Sequence, residues 1–131
     1  MLTFDLDVIP VLPRTSSGLM TLEPIYQAMR TRGYEVDAEC VNVEGVPVQF
    51  LPAYNPLVEE ALTEARQVSY GDTTTRVLRP EHLLAMALQT GRDKDRERVR
   101  LLLEQGTLDR DFLAGIIARH ALEEKWNEWT R

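Results

Sequence analysis

Thr3-Phe4-Asp5-Leu6-Asp7-Val8-Ile9-Pro10-Val11-Leu12 places two carboxylates two residues apart in an otherwise apolar run. A strand sends alternate side chains to opposite faces. The pattern therefore predicts Asp5 and Asp7 side by side, with Phe4, Leu6 and Val8 facing the other way. Adjacent like charges repel, and each resists burial without compensation. A divalent cation supplies it, because carboxylate oxygens are the ligands that hard Mg²⁺, or Mn²⁺, prefers. A strand with one solvated face has the same spacing, and on spacing alone both readings stand.

Beyond this strand, Pro13 to Gly18 reads as a turn-rich connection. A helix is expected over Thr21 to Arg32, with Leu22, Ile25, Tyr26 and Met29 as its apolar stripe and Gly33 as its stop. Two strands follow, Tyr34 to Val43 and Val46 to Leu51, joined around Glu44-Gly45. Pro47 suggests that the second is an edge strand or bends near its start. Cys40 continues the alternation Tyr34, Val36, Ala38 and is expected to be a buried small hydrophobe. Asn55-Pro56 sets an N-cap before a proline at the first helical position, opening a helix to about Ala65. A short strand near Thr74 to Leu78 follows. The remainder is helical: from Pro80 to about Gly91, Asp93 to Gln105, Asp109 to His120 and Leu122 to Trp129. Val99, Leu102 and Leu103 are expected to face inward, as are Phe112, Ile116 and Ile117. Strands first and helices later predict an α+β fold in a single domain over 1–131. Residues 1–78 would form a mixed sheet with flanking helices, and 79–131 a C-terminal helical bundle.

The 131 residues suit one domain, with 44% apolar and 27% charged residues as in ordinary globular chains. A formal charge of −6 argues against a broad, sequence-independent grip on nucleic acid. The single cysteine excludes an intramolecular disulfide and a thiolate metal cluster. Apolar runs fall well short of the roughly 18 residues of a spanning helix, and Asp5 and Asp7 interrupt any signal peptide. No membrane association and a cytoplasmic location are the expectations.

Three further segments join the aspartate strand. They are Val43-Glu44-Gly45-Val46-Pro47-Val48-Gln49-Phe50-Leu51-Pro52, Arg79-Pro80-Glu81-His82-Leu83-Leu84-Ala85-Met86 and Thr90-Gly91-Arg92-Asp93-Lys94-Asp95. In this order the set resembles small bacterial nucleotidyltransferase-like proteins of the DNA polymerase β-like superfamily, related to toxin–antitoxin and abortive-infection systems. The resemblance implies that Asp5 and Asp7 are catalytic and hold Mg²⁺ bound to a nucleoside triphosphate. Nucleotidyl transfer needs charge neutralisation and in-line positioning, which two metals about 4 Å apart provide. The acceptor would be a protein or an RNA.

Two features depart from that pattern. The third carboxylate is expected on the strand Val46 to Leu51, where Gln49 stands; an amide accepts hydrogen bonds but removes a negative charge. Glu44 is the nearest substitute. The family's aspartate strand also follows a helix carrying a Gly-Gly or Gly-Ser turn, and the expectation here is a form lacking it. Arg92 and Lys94, at a helix start after Gly91, are the candidate phosphate contacts, with Gln49 lining the nucleotide site. Asp95 would orient Lys94 or cap the helix. The alternating charges from Asp93 to Arg98 equally describe a solvated helix face.

His82 and His120 lack metal-ligand spacing and read as packing histidines. Trp126 and Trp129 are expected to clamp the last helix onto the domain, with a partner-binding face as the alternative. A second function stands beside the enzyme: a non-catalytic binding module, such as an antitoxin-like protein partner, that covers exposed apolar surface with another chain or with a second copy.

Overall fold

The structure, a computed structural model, describes residues 6–10, 22–37, 40–51 and 55–131. The described residues form six helices and six strands, an α+β chain as expected. They fall into two compact units, Met1–Tyr54 and Asn55–Arg131.

In the first unit, β1 (Leu6–Val8), β2 (Glu35–Asp37), β3 (Cys40–Val43) and β4 (Val46–Phe50) form a mixed sheet in the order β1-β4-β3-β2. β1 runs parallel to β4, and the other pairings are antiparallel. The strand expected from Tyr34 to Val43 is therefore two strands folded back on each other, with Glu35 opposite Asn42 and Val36 opposite Val41. That reversal corrects the expectation for Cys40. The alternation does not continue through the fold-back, so Val36 shares a face with Val41 while Cys40 lies on the opposite one. Val41 is buried and Cys40 is exposed.

Pro47 does not make β4 an edge, since β4 lies between β1 and β3. It sits opposite Asn42, and the described pairing with β1 begins one residue later at Val48, so no ladder bond there needs its missing N–H. Glu44 and Gly45 join β3 to β4 with φ of 51° and 88°. Two left-handed residues in a two-residue loop match the twist of the flanking strands. Helix α1 (Glu23–Thr31) presents half-buried Ile25, Tyr26 and Met29, as its stripe predicts. Tyr26 meets the Phe50 ring edge-on, with centroids 6.1 Å apart.

The second unit is built around α3 (Pro80–Thr90), which packs on α2 (Pro56–Thr63), α4 (Asp93–Glu104) and α5 (Arg110–Arg119), with α6 (Glu123–Trp129) against α5. Leu57, Leu84, Leu88, Val99, Leu113 and Ile116 form the centre of its core, and Trp126 and Trp129 pack against that core. The two tryptophans hold the last helix in place, as expected. Asn55 caps α2, its Oδ1 accepting from the Val58 N–H at 2.9 Å, with Pro56 at the first helical position. Gly91 ends α3 at φ 71°, its N–H donating to the Ala87 carbonyl at 3.0 Å. Between α2 and α3 stands a hairpin of β5 (Arg66–Tyr70) and β6 (Thr73–Val77). The sequence predicts only its second strand; β5 reads as Arg-Gln-Val-Ser-Tyr, too polar to announce a strand. Both α2 and the hairpin belong to the helical unit rather than to the sheet that precedes them.

Candidate functional site

Asp5 lies outside the described residues. Asp7 is exposed on β1, with Gln49 of β4 as its register partner. Gln49 in turn faces Cys40 of β3. Because residues paired across a sheet share a face, Asp7, Gln49 and Cys40 form a row across three strands. Leu6, Val48 and Val41 make the matching apolar row on the other side. Tertiary pairing thus brings together Asp7 and Gln49, two of the residues expected at the nucleotide site. Among the described residues this row offers one carboxylate, one amide and one thiol; Asp5, the other carboxylate expected there, lies outside them. Hard Mg²⁺ takes oxygen ligands and is usually held by one or two carboxylates with substrate phosphates, and the Gln49 amide adds no negative charge to the row. No three His, Cys, Asp or Glu side chains among the described residues group as metal ligands.

Arg92 and Lys94 belong to the helical unit. Arg92 is the N-cap residue of α4, and Asp95, three residues on, is buried beneath it. The Asp95 carboxylate accepts from the Arg92 backbone N–H at 3.2 Å and from Arg92 Nε at 2.7 Å, and Arg98 Nη1 donates to it at 3.3 Å. Burial pushes the Asp95 carboxyl upward, but the hydrogen bonds and charges of Arg92 and Arg98 outweigh it and hold the group below the usual carboxylate range. Asp95 is therefore the helix cap. The anion that this helix start attracts is already supplied by the chain. Lys94 is exposed. Further along α4, Arg100 bridges Glu97 and Glu104, the pattern of a charged solvent face.

A polar cluster drawing on three helices centres on Glu60 of α2. Arg119 approaches it side-on, Nε donating to Oε1 at 3.0 Å and Nη2 to Oε2 at 3.2 Å. His82 Nε2 lies 2.8 Å from Oε2, and His120 Nε2 lies 3.2 Å from Oε1. An ionised carboxylate only accepts, so both imidazoles donate through Nε2. His82 is fully buried, edge-on to Phe112, and its Nδ1 is buried without a partner. Hydrogen bonding from Arg119 is the largest influence on Glu60; partial burial opposes it and both histidines reinforce it, placing the pKa at about 2. Glu60 thus pins α2, α3 and the end of α5 together. The sequence hints at this only in that Glu60 borders the buried stripe Leu57, Val58 and Ala61.

A second lock lies beside it. Glu81 is buried, its Oε1 accepting from the Asp109 N–H at 3.3 Å and lying 3.6 Å from Arg79. The Arg79 guanidinium sits 3.8 Å from the Phe112 ring centre. Each of these clusters joins helix to helix, which is structural work.

No protein-family model matches this chain, and no curated protein matches it.

Proposed function

We propose that the chain is a non-catalytic binding module that engages a protein partner. The observation that carries this reading is the register of β1 with β4, which sets the neutral amide of Gln49 beside Asp7. A nucleotidyl-transfer site concentrates negative charge to hold metal ions against triphosphate. An amide in that position contributes none. The bonding of Arg92 into the Asp95 cap supports the same reading, since its guanidinium serves the helix start.

A second reading keeps the enzyme: a nucleotidyltransferase binding Mg²⁺ (or Mn²⁺) and a nucleoside triphosphate and passing the nucleotide to a protein or RNA acceptor. The parallel pairing that brings Asp7 and Gln49 onto one face favours it. Asp5 and Asp7 would hold the metal, and Gln49 would line the nucleotide site.

Thermal melting separates the two. Wild type and the Asp5→Asn/Asp7→Asn double variant are melted with ATP, GTP, CTP or UTP, with and without Mg²⁺ or Mn²⁺. A ligand at about 100 times its dissociation constant stabilises by about 2.7 kcal/mol, a shift of several degrees. The binding-module reading expects no metal-dependent shift. A shift seen in wild type and lost in the double variant overturns it in favour of the enzyme.

A further inference from the structure

The β5–β6 hairpin is the one sheet of the helical unit, and its two strands pair only with each other among the described residues. Its register places Arg66, Val68 and Tyr70 of β5 opposite Val77, Thr75 and Thr73 of β6. Those six side chains share one face. The opposite face carries Gln67, Ser69, Thr74 and Arg76, and Arg76 anchors it: Nη2 donates to the Leu62 carbonyl at 2.7 Å and the Thr63 carbonyl at 3.3 Å, at the C-terminus of α2. All three larger apolar side chains of the hairpin therefore lie on the unanchored face. Val68 is 43% exposed, Val77 48% and Tyr70 84%. A two-stranded ribbon is marginal by itself, and three or more strands are needed for independent stability.

The hairpin's own geometry says what suits its open edge. Gly71, at φ 60°, opens a two-residue loop with Asp72, and Asp72 is not left-handed, which is the II′ pattern. In such a loop the closing pair, Tyr70 and Thr73, exchanges hydrogen bonds. Alternation then turns the backbone groups of Arg66, Val68 and Tyr70 toward β6 and those of Gln67 and Ser69 outward. An antiparallel copy of β5 placed about a two-fold axis through Val68 meets these requirements. Gln67 and Ser69 of each chain pair with Ser69 and Gln67 of the other, satisfying the outward N–H and C=O groups. Val68 faces its own copy, and Arg66 faces the Tyr70 ring of the other chain, a cation opposite an aromatic. Within β5 itself no like charges oppose. The β6 edge lacks this fit: centred on Thr75, it opposes Val77 to Thr73 and brings no apolar pair together.

The geometry points to a symmetric homodimer in which β5 pairs with β5 of a second copy, making a continuous four-stranded sheet. The interface is isologous, so it closes at two chains.

Sedimentation velocity and light scattering on the full chain test this. The expected mass is twice the 15.0 kDa of one chain. Val68→Lys and Val68→Glu each give monomers with an unchanged circular dichroism spectrum, and mixing the two restores the dimer. In a Cys40→Ser background, Val68→Cys oxidises to a covalent dimer and Thr75→Cys does not, because Thr75 lies on the far strand of the joined sheet. A wild-type monomer throughout the micromolar range overturns the inference. So does a dimer that survives Val68→Lys and Val68→Glu. Covalent linkage in the Thr75→Cys variant as ready as in Val68→Cys also overturns it, since that would mean face-to-face stacking.

Discussion

Replacing Glu60 by Gln is expected to weaken the helical unit by about 2–3 kcal/mol at neutral pH, and to do so less and less as pH falls. Glu60 is held at a pKa of about 2 against an ordinary 4.5, chiefly by the hydrogen bonds from Arg119. A difference of that size, at about 1.36 kcal/mol per unit, corresponds to roughly 3 kcal/mol of stability carried by the ionised form. Glu60 is 23% exposed and Arg119 53%, so solvent screening takes part of it away. The sign follows from linkage. A depressed carboxyl pKa contributes fully above the unfolded value and is lost as pH falls from about 4.5 towards 2. A glutamine keeps the shape but turns an N–H₂ group toward Arg119, His82 or His120, all of them donors. Urea unfolding followed by tryptophan fluorescence reports this directly, because Trp126 and Trp129 pack on the same core. Wild type and Glu60→Gln would be compared at intervals from pH 7 to pH 2, with Glu59→Gln, exposed on the same helix, as control. The gap between wild type and Glu60→Gln should be widest at pH 7 and narrow steadily below pH 5. Parallel stability curves through that window, or a loss no greater than that of the control, would refute the reasoning.

Three further outcomes are expected. His82→Ala should cost about 2–4 kcal/mol by chemical denaturation, since it removes a fully buried ring packed on Phe112 and one donor to Glu60. Asp95→Ala should cost about 1–2 kcal/mol and speed hydrogen exchange in the first turn of α4, because the Arg92 N–H loses its acceptor. Gly91→Ala should lower stability by about 1–2 kcal/mol through backbone strain at φ 71°, with no steric part, as the new methyl would meet only the Leu88 carbonyl at 3.7 Å and Lys125 Nζ at 3.9 Å; a melting temperature equal to wild type would contradict this.

Several features governed by near neighbours are written directly in the order of the residues. The stripe Ile25, Tyr26 and Met29, the Asn55-Pro56 cap, the stop at Gly91 and the Glu44-Gly45 turn each depend on contacts within a few residues. Helical spacing, cap chemistry and left-handed backbone are encoded at that range, so these features were legible. Asp95 as the cap of α4 was legible for the same reason. Strand pairing and helix packing are concealed from that local reading. The fold-back between Asp37 and Cys40 reversed the face on which Cys40 was expected. Asp7 and Gln49 became neighbours through strand pairing. Glu60 gathered His82 and His120 from 22 and 60 residues away. A carboxylate beside an apolar stripe looks the same in sequence whether it faces water or three donors. Only the packing of α2, α3 and α5 places those donors within hydrogen-bonding reach, and it is there that the charge acquires its depressed pKa and its role in holding the helices together.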